Sequence, residues 1–236
     1  MNEREEIDGK QINNLENDLK ELFYIFTHDF EQPVRNIKVF ADFLKRDAAS
    51  KLSEKECKYI DFIGDAAESL QSMIIDLVEY NQIDLINHNH QDLSLILNSA
   101  IQKLKEEFNN ECKITIDDVP KVNIPNSFEI VLYNILKNSF CFRSPDRILK
   151  VELVFDVNKE YLTISVRDNG IGIPKDLQEV IFKPFKQIIK GIQNTGNGMG
   201  LAISKKIIDS FLGNIIVQSD GNLGSVFTIQ IKKEEF

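Results

Sequence analysis

The sequence has few of the residues that mark disulfide-bonded, zinc-binding, nucleic-acid-binding or membrane-spanning proteins. Its three cysteines, among 236 residues, are widely spaced and form no CxxC pair, so neither a disulfide framework nor a zinc site is predicted. The net charge is −9 without any block of Lys and Arg, which argues against nucleic acid or anionic membrane as a partner. No run approaches the roughly 18 apolar residues of a membrane span, and the acidic N-terminus is unlike a signal peptide. A cytoplasmic protein is predicted.

Histidine is also scarce, with three in the chain. His88 and His90 lie in the polar segment 81–94, which we interpret as a domain boundary. A metal site on this pair would need a third ligand, and none is near in sequence. His28 lies instead in an amphipathic helical pattern, beside Asp29 and five residues before Pro33.

The first third of the chain reads as two long helices. Apolar residues recur at alternating steps of three and four before residue 27, a heptad seam that predicts pairing with another helix, although a helix packed on its own core shows the same spacing. The stripe continues past Pro33, so this proline is expected to kink the helix rather than end it. Ser53 and Glu56 form a capping box that starts the second helix. We therefore predict a long antiparallel hairpin whose two copies associate as a dimeric four-helix bundle. The seam residues are Ile12, Leu15, Leu19, Leu22 and Phe26.

After the boundary the pattern changes to mixed helices and strands. Helices are predicted over 94–109 and about 126–142, and a hairpin over 149–169. A further helix closed by Gly213 and two last strands follow. This order predicts an α+β chain in which helices cover one face of a mainly antiparallel sheet.

Two glycine-rich segments and one pair of asparagines suggest a phosphate site in this second half. "DNGIGIP" follows a strand, and "TGNGMGLAISKKI" opens a helix, where free N–H groups and the helix dipole attract anions. Glycine turns also flank strands without binding anything, and neither segment has the Rossmann or P-loop spacing. Asn134 and Asn138 are four apart on one helical face, where they could be solvated or could ligate Mg²⁺ through oxygen.

In order and spacing, these segments resemble the N, G1, F and G2 boxes of bacterial two-component sensor histidine kinases. The matching residues are Asn134 to Asn138, Asp168-Asn-Gly-Ile-Gly, Phe182 to Phe185 in "IFKPF", and Gly196-Asn-Gly-Met-Gly-Leu; "GSVFTIQI" resembles the G3 box. The resemblance implies an α/β sandwich ATP-binding domain of the GHKL type, shared with gyrase, chaperone and MutL ATPases. It also implies ATP and Mg²⁺ as cofactors.

The resemblance assigns roles residue by residue. Asp168 would accept a hydrogen bond from the adenine amino group, and Gly170 and Gly172 would let the backbone approach the base. Asn138 would ligate Mg²⁺, with Asn134 assisting at the phosphates. The remaining positions expected to contact the nucleotide or its lid are Lys137, Phe182, Phe185, Gly196, Gly198, Gly200 and Leu201.

The same family carries a histidine box on the first helix of its dimerisation hairpin, which "THDFEQPVR" resembles. His28 lies about 200° around the helix from Phe26, away from the seam, and a neutral imidazole is a good nucleophile near pH 7. Asp29 would take or orient its other proton, and Gln32, one turn on, would either orient water for dephosphorylation of the partner or simply be solvated. The implied divisions are a coiled-coil signal helix at 1–20, a dimerisation and phosphoacceptor domain at 21–88 and a catalytic domain at 92–236.

The leading interpretation is a soluble kinase that phosphorylates His28 in a homodimer and passes the group to an aspartate of a response regulator receiver domain. A separate sensor protein is expected, because no sensor domain fits in the first 20 residues. Cys141 and Gln187 stand where the family often has basic residues, which keeps open a phosphotransfer or scaffold protein with a weakened ATP domain. A third alternative, a GHKL ATPase or serine kinase, lacks the usual Glu, because Asn134 takes that place.

Overall fold

The structure is a computed structural model that describes residues 29–48, 51–83, 89–108, 112–187 and 196–235. The chain divides into two compact units, Met1–Gln82 and Ile83–Phe236. Within the described residues, no helix is both long enough and apolar enough to cross a membrane.

The described part of the first unit consists of two helices. Residues 29–48 are helical (α1), and α2 spans Glu54–Gln82. Helix α1 runs through Pro33 and does not end there, as predicted, and the apolar residues Val34 and Ala41 beyond the proline are buried. Val34 from α1 is buried in one cluster with Ala67 and Ile74 of α2. The heptad seam at 12–26 and His28 lie outside the described residues.

The start of α2 has the capping box that the sequence predicts. The Ser53 amide donates to Glu56 Oε2 at 2.7 Å, and the Glu56 amide donates to Ser53 Oγ at 3.3 Å. These reciprocal bonds satisfy two backbone donors that a helix start leaves without partners.

The second unit is built on a mixed five-stranded sheet. The strands are β2 (Cys112–Ile116), β4 (Leu149–Val157), β5 (Tyr161–Asp168), β6 (Asn214–Gln218) and β7 (Val226–Lys232), in the order β2-β4-β5-β7-β6. All neighbouring pairs are antiparallel except β2 and β4, which are parallel. Two short antiparallel strands, β1 (His90–Asp92) and β3 (Asn123–Pro125), form a separate sheet.

Three helices contribute to the core on one side of this sheet: α3 (Leu93–Glu107), α4 (Phe128–Cys141) and α5 (Gly200–Ser210). Alternate residues of the strands are buried, as in Leu162, Ile164 and Val166 of β5, so one face of the sheet is apolar. Burial of such side chains contributes about 25 cal/mol per Å² of apolar area. Short 3₁₀ turns occupy Lys175–Leu177, Val180–Phe182 and Lys233–Glu235.

Gly213 takes part in closing helix α5, as predicted, but the residue in the left-handed conformation is Leu212. The helix ends at Ser210, and Leu212, at φ 49°, takes the left-handed conformation. The Leu212 and Gly213 amides donate to Asp209 O and Ile208 O, both at 3.0 Å, which is a Schellman cap with leucine at the left-handed position. Gly213 is needed because a Cβ there would lie 2.7 Å from Gln230 O.

Candidate functional site

Asp168, the last residue of β5, is 8% exposed, and backbone and hydroxyl donors from two loops fix its carboxylate. The amides of Gly170 and Ser225 donate to Oδ1 at 2.8 Å and 3.3 Å. The Ser225 hydroxyl donates to Oδ2. Asp168 is therefore a buried acceptor with a set orientation.

The loops around Asp168 approach it so closely that glycine is required at two positions. A Cβ on Gly170 would lie 2.5 Å from Phe142 O, and Gly172, at φ 80°, would place its Cβ 2.6 Å from the Asn222 amide nitrogen. Real Cβ atoms do not reach these distances, and the left-handed conformation at Gly172 favours glycine in any case. Both predicted glycines thus line the loop that follows β5.

Ser225 was not among the predicted site residues. The sequence placed it in the G3-like segment, but its bonds to Asp168 cross 57 positions of the chain. Only the pairing of β5 with β7, which aligns Arg167 with Val226, brings the two residues together. The sequence feature that could have pointed to Ser225 is its hydroxyl side chain, directly before the last strand.

Asn134 and Asn138 are half-buried on one face of α4, as predicted. Asn134 Nδ2 donates to Gly200 O at 3.0 Å, which joins α4 to the first residue of α5. The side chain of Asn138 makes no hydrogen bond with another described residue. Its carboxamide oxygen is a ligand type that suits Mg²⁺.

Lys137 is engaged by the neighbouring helix. Its Nζ lies 2.7 Å from Glu107 Oε1 and 3.3 Å from the Tyr133 hydroxyl, which itself donates to Glu107. Partial burial works in the opposite direction, but the hydrogen bond with Glu107 raises the pKa of Lys137 above its ordinary value. Similarly, against the effect of burial, the hydrogen bonds from Lys137 and Tyr133 lower the pKa of Glu107.

Cys141, which stands where the family often has a basic residue, is buried. Burial raises the pKa of the Cys141 thiol, so this group carries no charge near neutral pH. Arg143, which follows α4, is exposed and donates to Phe140 O in the last turn of that helix at 3.1 Å. Among the described residues, positive charge near Asn138 would therefore have to come from the long side chains of Lys137 and Arg143, and both have other contacts.

The glycine-rich segment leads into α5 as predicted. Gly196 and Gly198 have φ of 67° and 76°, and a Cβ on Gly198 would lie 2.8 Å from Lys186 O. The Gln187 side chain donates to Gly196 O at 2.6 Å. These two residues stand on either side of 188–195, which lie outside the described residues. Gly200 begins α5, with Leu201 following it in the first turn.

The two phenylalanines of the F box have different surroundings. The half-buried Phe182 packs edge-on against Phe227 of β7, with ring centroids 6.5 Å apart. Phe185 is 44% exposed and takes a left-handed conformation at φ 59°. Such a conformation costs a non-glycine residue of order 1 kcal/mol, which is consistent with a functional constraint at this turn.

Of the predicted phosphoacceptor residues, His28 lies outside the described residues. Asp29 and Gln32 are exposed on α1 and lie three residues apart, close to one face of the helix. Among the described residues, no group of three or more His, Cys, Asp or Glu side chains is placed to hold a metal ion. A hard cation here would therefore need amide oxygen, as on Asn138, together with oxygen atoms of a ligand.

A protein-family model matches the part of the chain that contains all of these loops. Residues 123–235 match the family described as "Histidine kinase-, DNA gyrase B-, and HSP90-like ATPase". Most of the second unit therefore matches this ATPase family. The predicted GHKL-type sandwich is thereby confirmed.

The resemblance extends over most of the chain. The chain is 28% identical to the phytochrome-like protein Cph1 of Synechocystis sp., and the match covers 91% of this chain and 29% of Cph1. It is 27% identical to the circadian input-output histidine kinase CikA of Synechococcus elongatus over 91% of its length and 30% of CikA. The chain spans less than a third of these relatives. Its resemblance to a sensor histidine kinase transmitter module is confirmed.

Solved structures agree on the fold. Full-length ShkA, crystallised in complex with AMPPNP, matches with a TM-score of 0.64 at 19% identity, over 89% of this chain and 45% of that one.

Proposed function

We propose that this chain is the transmitter of a sensor histidine kinase. It binds Mg·ATP in the second unit, moves the γ-phosphoryl group to His28 within a homodimer, and passes it to an aspartate of a response regulator receiver domain. The observation that carries the proposal is the buried Asp168 carboxylate, held between two loops of an ATPase-type fold.

The carboxylate has room for one specific ligand donor. A carboxylate can accept about four hydrogen bonds, two on each oxygen. Among the described residues, Oδ1 accepts from the Gly170 and Ser225 amides, whereas Oδ2 accepts from the Ser225 hydroxyl alone. The adenine amino group supplies a matching donor, while guanine and hypoxanthine present a carbonyl oxygen there, which the carboxylate repels. Adenine selectivity follows from this geometry.

The phosphate end of the site is formed by α4 and the start of α5. The first turn of α5 has backbone N–H groups without helical partners, which attract phosphate oxygens. Asn138 would hold Mg²⁺, and Asn134 keeps α4 beside Gly200. When bound, Mg²⁺ neutralises charge on the phosphates.

The phosphoryl transfer itself involves α1. A neutral His28 ring nitrogen attacks the γ-phosphorus, the bond from phosphorus to the bridging oxygen breaks, and ADP leaves. Asp29 holds or accepts the proton at the other ring nitrogen. Gln32, four residues after His28 in the sequence, orients the water that removes the phosphoryl group from the receiver aspartate, so the protein also acts as a phosphatase.

Homodimer formation is supported by apolar side chains that the hairpin leaves exposed. On α1 they recur at steps of three and four, and Phe40 is 63% exposed; on α2, Phe62 is 68% exposed. Association of two copies as a four-helix bundle would remove this surface from water. The other members are Ile37, Leu44, Ile63 and Leu70.

The test is incubation with γ-labelled ATP and Mg²⁺, comparing the unmodified chain with His28→Gln. We expect acid-labile label that is absent from His28→Gln, and transfer of label to a receiver domain. Label that survives acid or the substitution would contradict the proposal. ATP binding without any label would favour a scaffold with a weakened ATP domain.

The variant Asp29→Asn provides a second test of the proposed function. It should lower the labelling rate and leave the affinity for ATP unchanged, because Asp29 lies on α1 and not among the nucleotide-binding loops. An unchanged rate would rule out its role in handling the proton.

A further inference from the structure

Arg147, which precedes β4, joins two loops that are distant in sequence. Arg147 is half-buried, and its Nη2 donates to two backbone oxygens, Gly170 O at 2.9 Å and Asn222 O at 3.2 Å. One acceptor lies in the loop 169–173 after β5, and the other lies in the loop 219–225 between β6 and β7. Hydrogen bonds from a charged group are stronger than those between neutral groups.

These two loops are the ones that hold the Asp168 carboxylate. The loop 169–173 supplies the Gly170 amide, and the loop 219–225 supplies the amide and hydroxyl of Ser225. The loops also touch: a Cβ on Gly224 would lie 2.8 Å from Asn169 Cα. A change in their spacing would therefore rotate or withdraw donors from Asp168.

Arg147 acts on the part of each loop that no regular strand fixes. Gly170 has its N–H bound by Asp168 and its carbonyl bound by Arg147, so both of its peptide groups are held. In the other loop, Asp220 Oδ1 accepts from the amides of Asn222 and Leu223 at 2.9 Å, which makes a rigid turn. The Arg147 guanidinium holds that turn by its hydrogen bond to Asn222 O.

We propose that Arg147 is a positioning residue for base selectivity: it sets the spacing of the two loops and thereby the orientation of the Asp168 oxygen that meets the adenine amino group. The inference rests on the proposed nucleotide-binding function. Arg147 itself does not touch the base in this account; it acts through Gly170 and the Asn222 turn.

The experiment measures the dissociation constants of ATP and inosine triphosphate for the whole chain, unmodified and with Arg147→Met. Inosine triphosphate has a carbonyl oxygen where adenine has its amino group. We expect ATP binding to weaken about tenfold, while the already weaker binding of inosine triphosphate changes less than about twofold. Arg167→Met is the matched control, because Arg167 is exposed and pairs only at the surface with Glu152. It should leave both constants unchanged.

An unchanged ratio of the two dissociation constants in a folded Arg147→Met chain, whether both rise equally or neither changes, would overturn the inference. The proposed function would still stand, because the unmodified chain binds ATP. If that variant does not fold, Arg147→Gln keeps a neutral donor, and the ATP preference should then fall by about threefold; an unchanged preference would likewise overturn it. An unmodified chain that binds no ATP would instead reject the proposed function itself.

Discussion

At the scale of single residues, the site depends on one carboxylate whose neighbours are all donors. Asp168 is buried, and no cationic side chain within the described residues forms an ion pair with it. Hydrogen bonds from two amides and a hydroxyl compensate for its loss of water. One position on Oδ2 remains for a ligand. Because these neighbours are all donors, even a substitution that preserves the shape of Asp168 should change its hydrogen bonding.

Replacing Asp168 by Asn should change the preferred base rather than destroy the fold. The amide oxygen can keep the bonds at the Oδ1 position, and its NH₂ group can donate to the Ser225 hydroxyl. The ligand would then meet a donor, so ATP affinity should fall about tenfold and inosine triphosphate should bind more tightly. Titration calorimetry with both nucleotides measures the exchange. Asp156→Asn, an exposed change on β4, is the control; an unaltered preference in Asp168→Asn would contradict this assignment.

Gly224 should be intolerant of even one added methyl group. It has φ 102°, and a Cβ would lie 2.0 Å from Asp168 O, so Gly224→Ala should lower the free energy of unfolding by about 2 kcal/mol or more. Gly64 is the opposite case, since it lies in α2 with nothing near its Cβ position. Gly64→Ala should raise stability by about 0.5–1 kcal/mol. Urea unfolding of both variants tests the pair; equal effects would contradict the geometry.

At the scale of elements, the periodic segments were predictable, and the parts fixed by distant pairing were not. The helix predicted over 94–109 forms at Leu93–Glu107, because its apolar spacing is complete within the segment. Strands β1 and β3 have three residues each, too short for alternation to show. The parallel pairing of β2 with β4 depends on the crossover through α4, which no local pattern encodes. Ser225 and Arg147 escaped prediction for the same reason.

The contact between α3 and α4 should be sensitive to acid through Glu107. Partial burial acts in the opposite direction, but hydrogen bonds from Lys137 and Tyr133 lower the pKa of Glu107 in the folded chain below its ordinary value. Its stabilising effect is therefore present above that ordinary value and is lost as pH falls through the lower folded pKa. The effect should be at most about 1 kcal/mol, because water screens the partly exposed pair with Lys137. Glu107→Gln should therefore flatten the acid limb of stability against pH.

Urea unfolding between about pH 3 and pH 7 measures this limb. Glu106→Gln is the matched control, since Glu106 is exposed and its hydrogen-bond partner is the neutral Gln102 on the same helix. Identical limbs for the Glu107→Gln variant and the unmodified chain would show that the contact does not contribute.

At the scale of the whole molecule, the hairpin surface predicts self-association. Phe40→Glu places a charge on the exposed apolar stripe of α1 and should convert a dimer into a monomer, because burying an unpaired charge is unfavourable. Arg35→Glu changes the charge by more, but it lies about 140° around the helix from Phe40, and it should leave the dimer intact. Sedimentation equilibrium distinguishes these states. A monomeric unmodified chain, or a dimeric Phe40→Glu variant, would contradict the bundle.

The bonds between Asp168 and Ser225 have a consequence for the order of folding. They join positions 57 residues apart, and Ser225 reaches Asp168 only when the last two strands are in place. On the proposed function, a partly folded chain without those strands would lack the base-recognition end, so nucleotide would bind only the finished domain. Ligand would then stabilise the second unit as a single cooperative body and leave its intermediates unaffected. Protease digestion should show nucleotide protecting β2 and β6 to the same degree.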